Sequence, residues 1–539
     1  MKKFFTNPLT LILLLAAVLR LTFLSSVPPS LNWDEVSMGY SAYSIAETGR
    51  DEWGEVMPIF FRSYGEWKSA FYIYLIVPFV KILGNTALAV RLPSALAGVI
   101  SVYLTYLIGS MLRDKKLGLW ASFLMAISPW ALMLGRPGFE ANVALTLILT
   151  GLYFFLIYLR TENWKLIAAS ALALGLAPHT YNSAKLVVPL LLVYLVFSTK
   201  AYKSLKRLIL PTLILIIFAF PLILNLFSGR SQARLAQVGV TTDQENLAQF
   251  YALRENPVLP ELMGKVLINK ASFSLYQVGG NFLSYLSPDF LVVSGGAHNQ
   301  HSLALHGMLY YAELIFVILG VILLVRTPIT KRKELHFLPL IIIGLGIIPA
   351  ALTRDSGHAL RSILTLPGWQ LLAAYGITSS GLHAGIKKSL LTLLTVQAVI
   401  FTFLYFTWYP HTFARDWQYG HQEVAEYLSE HAQEYDHIVM TKWYGEPQLF
   451  LAYYGAWDPI WYQQKNADNL RYEVEGKLWL DQLESYSLGK YTFKYIDWEL
   501  DRADNTLFVG KFDDFPDDAH ILEIINYPDG SIAFVIATQ

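Results

Sequence analysis

The chain has 539 residues, of which 54% are hydrophobic and 15% charged, and its mean hydropathy of +0.40 is too high for a typical soluble protein. Cysteine is absent, which excludes disulfides, thiolate metal sites and thiol nucleophiles. The net charge of zero combines 23 acidic and 9 basic side chains in residues 410–539 with a basic excess before them, and that excess is typical of cytoplasmic loops rather than of nucleic acid binding.

Eleven apolar segments are long enough to cross a hydrocarbon core of about 30 Å. They lie near residues 8–26, 91–112, 116–134, 141–160, 164–178, 184–198, 208–228, 307–326, 337–353, 361–379 and 389–409. When these segments alternate across the bilayer, the Lys- and Arg-rich connections share one side, as cytoplasmic loops do. We therefore predict an all-α polytopic domain over residues 1–409, in the plasma (inner) membrane, with a cytoplasmic N-terminus and the first segment retained as a span.

The same arrangement places residues 27–90, residues 229–304 and the C-terminal region outside the cytoplasm. An aromatic stretch near residues 69–84 contains Pro78 and is too short for a confident span, so an interfacial helix is predicted. Residues 410–539 combine alternating strand-like segments with one helical segment, HQEVAEYLSEHAQEY. They are predicted to form a small extracytoplasmic α/β domain.

A pair of carboxylates, Asp34 and Glu35, follows the first apolar segment. Carboxylates near the bilayer surface are costly to keep unless they serve as a base or bind a cation. The structural alternative is that they open a helix over residues 36–47, where acidic side chains satisfy free N–H groups.

Several cationic side chains lie at predicted outer ends of the apolar segments. Lys68, at the entry of the aromatic stretch, can reach a lipid phosphate or simply extend to the headgroup region. Arg136 and Glu140 lie about one helical turn apart and could form a structural ion pair.

Two further outer turns are rich in polar residues. One contains His179, Tyr181 and Lys185, and the other contains Arg354, Asp355, His358 and Arg361. Together they predict a shared outer cavity suited to an anionic headgroup or a phosphate leaving group. His298, His301 and His306 have no spacing typical of metal ligands.

The ordered segments WDE, KSAFYIYL, AVRLPSALAGVISVYLTYLIG, GRPGFEANVALTLILTGLYFFL and ALTRDSGHALRSILTLPGWQLLAAYG resemble the GT-C membrane glycosyltransferases. They resemble in particular the protein O-mannosyltransferase-like group of family 39, which includes aminoarabinose transferases. The resemblance covers roughly residues 1–409. Two departures are that Ser69 and Ala70 stand where the family has prolines, and that Trp67 separates Glu66 from Lys68.

The resemblance implies transfer of one sugar from a polyprenyl-phosphate donor to a protein, lipid or glycan acceptor outside the cytoplasm, usually with inversion. Asp34 would then be the base, and Glu35 would orient the site or bind a cation. Lys68, Arg136, Arg354 and Arg361 would bind the donor phosphate, and Glu66 would be a further cavity residue. A divalent cation is not required by the sequence. The alternatives are a transporter or flippase of lipid-linked sugars, and a polysaccharide polymerase or ligase.

Overall fold

The computed structural model describes residues 7–63, 65, 67–203, 205–227, 239–240, 244–254, 266–331, 335–501 and 503–539. The chain divides into two compact units. The first, here called the helical unit, comprises Met1–Thr22, Leu96–Gly135 and Glu140–Thr402. The second, here called the sheet unit, comprises Phe23–Ala95, Arg136–Phe139 and Phe403–Gln539.

Among the described residues, the region 7–227 contains ten α-helices and one short hairpin. In chain order these are α1 Pro8–Leu21, α2 Trp33–Thr48, β1 Phe60–Arg62, β2 Trp67–Ser69, α3 Phe71–Leu83, α4 Ala87–Leu112, α5 Lys115–Ile127, α6 Pro129–Gly135, α7 Glu140–Thr161, α8 Trp164–Leu176, α9 Ala184–Ser198 and α10 Leu205–Phe227. Asparagine or aspartate side chains cap α1, α5 and α8, because Asn7, Asp114 and Asn163 each accept a hydrogen bond from a first-turn N–H group.

Residues 244–539 supply the remaining longer elements. They are α11 Gln244–Arg254, α12 Lys270–Ser284, a π-helical turn Asp289–Val293, α13 Tyr311–Arg326, α14 Leu338–Ala351, α15 Gly368–Ser379, α16 Ala384–Thr407, α17 His421–His431, β3 His437–Thr441, α18 Pro447–Tyr454, α19 Pro459–Asn466, β4 Ser485–Leu488, β5 Tyr491–Lys494, β6 Thr506–Gly510, β7 His520–Asn526 and β8 Ile532–Thr538.

Every one of the eleven predicted apolar segments coincides with a helix, or with the bent pair α5 and α6. By length and composition, however, only α4, α7, α10 and α16 among the described residues could each cross a membrane, or five spans if the bent pair counts as one. The pair bends by 57°, where Pro129 begins α6. The predicted number of about eleven spans is therefore not confirmed, because helices such as the 14-residue α1 and α14 fall short of about 20 residues.

The helical unit is held together by close contacts between helices. At Gly320 of α13, an added Cβ would lie 2.0 Å from the carbonyl oxygen of Leu372 on α15. At Gly376 of α15, it would lie 2.0 Å from the carbonyl oxygen of Phe316. Only glycine permits these backbones to approach so closely, as in many membrane helix pairs.

The sheet unit is built around six strands in the order β4-β5-β3-β6-β8-β7. β3 pairs in parallel with β5 and β6, whereas β4, β7 and β8 join antiparallel. The strand-like segments of the C-terminal region, HIVMTKW, YTFKYIDW, TLFVGKF and SIAFVIAT, are confirmed as β3, β5, β6 and β8, and its predicted helix is confirmed as α17. α2, α3 and the β1-β2 hairpin belong to the same unit as this sheet.

Candidate active site

The acidic pair lies in the first turn of α2, as the structural alternative predicted. Asn32 caps this helix, because its Oδ1 accepts from the N–H of Glu35 at 2.9 Å, while Glu35 Oε2 accepts from the N–H of Asn32 at 3.2 Å. This reciprocal arrangement is a capping box. It starts the helix at Trp33, three residues before the predicted start, and it fixes the direction in which each carboxylate points.

Glu35 is completely buried and fully bonded. Its Oε1 accepts from Arg91 Nε at 2.9 Å and from the N–H of Gly138 at 2.7 Å, and its Oε2 lies 3.2 Å from Arg91 Nη2. Arg91 is also buried and donates from Nη1 to the carbonyl oxygens of Leu24 and Pro28, at 3.2 and 2.8 Å. The Glu35–Arg91 pair therefore ties α2, α4 and the loop after α1 together, which favours a positioning role over direct chemistry.

Asp34 has the opposite environment although it is the neighbouring residue. Its side chain is 44% exposed, and its Oδ1 lies 2.9 Å from Lys68 Nζ on β2. The Lys68 side chain is only 13% exposed. An accessible carboxylate beside a sheltered ammonium group can take a proton from a hydroxyl and place a positive charge next to an anionic group.

Arg136 lies in the short turn of the sheet unit and is fully buried. Its Nη2 donates to the carbonyl oxygens of Phe23 and Val27, at 3.1 and 2.8 Å, and its Nε donates to that of Val27 at 3.2 Å. The guanidinium carbon lies 4.7 Å from the ring centroid of Phe406. These contacts hold the loop that precedes α2.

The other predicted basic residues belong to the helical unit. Arg361 Nη1 lies 3.0 Å from Asp355 Oδ2, and Arg354 Nε lies 3.6 Å from Asp355 Oδ1. The Arg361 side chain is 13% exposed, whereas that of Arg354 is 48% exposed. Asp355 thus bridges the two arginines.

Three imidazole rings pack beside these arginines. The ring centroids of His298, His301 and His358 are 4.6 to 5.7 Å apart. Burial lowers the pKa of His301 to about 3, and burial also lowers that of His298. His306 instead contacts Tyr310 and Phe401. No group of three or more His, Asp or Glu side chains within the described residues is arranged to hold a metal ion.

The remaining predicted cavity residues are placed as follows. His179 Nε2 lies 2.7 Å from the carbonyl oxygen of Phe218, and Lys185 Nζ donates to Asn182 Oδ1 at 2.6 Å. Tyr181 is buried, and its hydroxyl lies 3.4 Å from the carbonyl oxygen of Leu360, so the two polar turns of the helical unit meet. Glu140 begins α7. Glu66 lies outside the described residues.

Sequence reasoning missed several functional groups of the sheet unit. Arg91 was noticed only as part of a motif, and Glu52 and Glu446 were not singled out at all. Both carboxyls are buried, and burial raises the pKa of Glu52 to about 8 and that of Glu446 well above its usual range. They line one pocket although 394 positions separate them (446 − 52). In the sequence, the one feature that could have indicated Glu52 and Glu446 is that each acid lies close to aromatic residues.

Comparison with known proteins supports the resemblance inferred from the sequence. Residues 68–224, less than half of the chain, match the family described as dolichyl-phosphate-mannose-protein mannosyltransferase. A search of curated proteins found no match. This match agrees with the predicted resemblance to the GT-C membrane glycosyltransferases.

Solved structures show the same fold at low sequence identity. ArnT from Cupriavidus metallidurans bound to undecaprenyl phosphate is 13% identical, with 98% of this chain and 97% of that chain covered and a TM-score of 0.54. ArnT from the same organism in the apo state is also 13% identical, with 98% of this chain and 97% of that chain covered and a TM-score of 0.52. The apo oligosaccharyltransferase of Archaeoglobus fulgidus is 14% identical, with 83% of this chain and 63% of that chain covered and a TM-score of 0.50. This chain therefore spans less than two thirds of the length of that protein. The GT-C fold with a C-terminal sheet domain is therefore established.

Proposed function

We propose that this protein transfers a single sugar from a polyprenyl-phosphate donor to an acceptor on the extracytoplasmic side of the membrane, with inversion at the anomeric carbon. The acceptor hydroxyl loses its proton to Asp34, and its oxygen forms the new bond to the anomeric carbon. The bond from that carbon to the phosphate oxygen breaks on the opposite face, and the polyprenyl phosphate leaves with the electron pair. Undecaprenyl phosphate in a protein of the same fold supports this donor class.

The observation that carries the proposal is the contrast within the acidic pair. The Glu35 carboxylate is buried and accepts hydrogen bonds from Arg91 and the N–H of Gly138. The Asp34 carboxylate is accessible, and its Oδ1 lies 2.9 Å from Lys68 Nζ. The neighbouring ammonium group keeps the carboxylate of the base oriented.

We assign Lys68 to the donor phosphate, because its ammonium group is sheltered and next to the base. Arg354 and Arg361 of the helical unit remain proposals for the same ligand class. The geometry of Arg136 favours support of the 23–27 loop, since its Nε and Nη2 donate to carbonyl oxygens there. The proposed domain arrangement is a membrane domain over residues 1–409 and an outer domain over residues 410–539.

The decisive experiment measures transfer of labelled hexose from a polyprenyl-phosphate hexose to membrane or secreted acceptors in sealed vesicles. We expect Asp34→Asn to reduce transfer about 10²- to 10⁴-fold, the usual contribution of a general base. Asp518→Asn, at an exposed aspartate of the same unit, is the matched control and keeps wild-type transfer. Undiminished transfer by Asp34→Asn would exclude Asp34 as the base.

Donor binding is tested separately from chemistry. We expect Lys68→Ala and Arg361→Ala to weaken binding of polyprenyl phosphate to the purified protein, while Asp34→Asn retains most of it, because the lost contacts are charge-assisted. Lys477→Ala, at an exposed lysine of the sheet unit, is the control. Unchanged affinity in both charge variants would contradict the phosphate assignment.

A further inference from the structure

A small pocket lies inside the sheet unit. Its walls come from two distant parts of the chain: α2 and the loop and hairpin that follow it on one side, and the region from Glu446 to Leu480 on the other. All of its lining residues belong to this one unit. The pocket is therefore formed by the packing of the first outer segment against the C-terminal region.

The polar lining is supplied mainly by two buried carboxyls on opposite walls. Glu52 Oε2 accepts from Ser41 Oγ at 2.7 Å, and Glu446 Oε2 accepts from Gln448 Nε2 at 2.6 Å. No hydrogen-bond donor contacts Glu446 Oε1 among the described residues. Ser63 Oγ, which also lines the pocket, is buried without a hydrogen-bond partner in that part of the chain. Buried polar atoms of this kind need a partner, and here a ligand can supply it.

Most of the apolar lining is aromatic, with two leucines beside the rings. Trp53, Tyr462, Tyr472 and Trp479 border the space, and the rings of Trp53 and Tyr472 meet edge to face at 6.0 Å. Aromatic rings present flat apolar surfaces with little conformational entropy to lose. Flat rings interleaved with a few hydrogen-bonding groups suit a ring-shaped ligand that is apolar on its faces and hydroxylated at its edge.

The charges of the pocket disfavour an ionic ligand. Arg62, the one cation among the described lining residues, forms an ion pair with Glu473 and lies 5.3 Å from the ring centroids of Trp53 and Trp67. Burial raises the pKa of Glu52 to about 8 and also raises the pKa of Glu446, which favours the uncharged form of each carboxyl. A protonated carboxyl both donates and accepts, which matches the needs of a sugar hydroxyl.

The position of the pocket relative to the proposed base distinguishes acceptor from donor. Ser37 lines the pocket and lies three residues after Asp34 on α2, so the two are neighbours on the same helix face. None of the apolar helices predicted to span the membrane contributes to the described lining. A group bound in the pocket therefore lies against the helix that carries the proposed base.

We propose that this pocket binds a neutral sugar residue of the acceptor, so that the acceptor is a glycan or glycoconjugate whose hydroxyl is presented to Asp34. This inference rests on the proposed transferase function. It assigns Glu52, Glu446, Trp53 and Trp479 as residues that bind the acceptor.

The test uses the purified full-length protein in detergent and saturation-transfer NMR with methyl α-glucoside, methyl α-mannoside and N-acetylglucosamine as probes. We expect at least one glycoside to receive saturation from the wild type. Trp479→Ala and Glu446→Met should weaken that binding at least tenfold. The matched controls Trp443→Ala and Glu475→Met, at exposed positions outside the pocket, should bind as the wild type does.

Folding and donor binding are checked on the same samples. Trp479→Phe keeps a ring in the pocket and should bind more tightly than Trp479→Ala, which separates loss of the ligand contact from loss of the fold. Polyprenyl phosphate affinity should be unchanged in the pocket variants.

Two outcomes overturn the inference: no saturation of any of the three glycosides, or equal binding by the pocket and control variants. If glycosides bind as expected but no sugar is transferred from polyprenyl-phosphate hexose, the proposed function fails instead. If sugar is transferred but no glycoside binds, only the assignment of this pocket to the acceptor is contradicted.

Discussion

At the scale of single residues, two adjacent carboxylates of α2 have separate tasks because of helix geometry. Successive side chains on a helix point about 100° apart. Glu35 therefore faces Arg91 and the turn at Gly138, and it is fully buried. Asp34 faces Lys68 and remains accessible. One acid supports the structure, and the other is available for chemistry.

The same amide substitution at the two positions should therefore affect different properties. Glu35→Gln leaves buried Arg91 without its counter-charge, and we expect the free energy of unfolding to fall by about 3–5 kcal/mol. Asp34→Asn removes an exposed partner and should cost about 1 kcal/mol or less. Thermal unfolding of the purified variants, followed by tryptophan fluorescence, measures the difference. Equal destabilisation by both substitutions would refute this division.

The sequence revealed the acids but not their partners. The segment WDE indicates an acidic pair beside the membrane, and the resemblance assigns a role to Asp34. Arg91 lies 56 positions from Glu35 in the sequence (91 − 35). A single arginine at the start of an apolar segment does not by itself predict a buried ion pair with so distant a residue. The acceptors of Arg136 are likewise not visible in the sequence, because they are backbone carbonyl oxygens, which every residue carries.

At the scale of elements, α2 packs closely against α18 of the C-terminal region. A Cβ added at Gly39 would lie 2.8 Å from Tyr453 Cε2 and 3.0 Å from Val90 Cγ2. Tyr453 is buried, and its hydroxyl donates to the carbonyl oxygen of Thr86 at 2.9 Å, so the ring has little freedom to move. This close approach limits rotation of α2, the helix on which Ser37 lines the pocket.

Gly39→Ala should therefore destabilise the sheet unit, because its methyl group overpacks a buried contact. We expect a loss of about 1–3 kcal/mol in thermal or denaturant unfolding. Gly279→Ala is the matched control, since no atom lies within 4 Å of a Cβ at that helical position, and alanine favours the helix there. If Gly39→Ala proves as stable as the control, the packing described here is wrong.

The elements were predicted unevenly, for physical reasons. β3, β6 and β8 are buried and apolar, and their sequences reveal them. β7 has a single buried residue in its seven positions, so it lacks the pattern of a half-buried strand. β4 alternates polar and buried apolar residues, but its four residues are too few for that pattern to stand out. The start of α2 was misplaced because the capping box of Asn32 and Glu35 depends on side-chain geometry, not on hydrophobic period.

At the scale of the whole molecule, the proposed reaction requires a defined orientation in the membrane. The proposed base, Lys68 and the acceptor pocket are all assigned to the sheet unit, which must then lie outside the cytoplasm. The charge asymmetry of the sequence supports this, since Lys and Arg are concentrated in the connections predicted to be cytoplasmic. The absence of cysteine makes a direct test simple, because any introduced thiol is unique in the chain.

Glu475→Cys places a thiol on the sheet unit, and Lys165→Cys places one at the start of α8, both at exposed positions. We expect a membrane-impermeant maleimide to label the first variant in intact spheroplasts and to label the second only after the membrane is permeabilised, because a charged reagent does not cross the hydrocarbon core. The cysteine-free wild type measures background labelling. Labelling in the reverse order would place the catalytic residues in the cytoplasm and contradict the extracytoplasmic transfer, whereas equal labelling in intact spheroplasts would exclude opposite sides for the two positions.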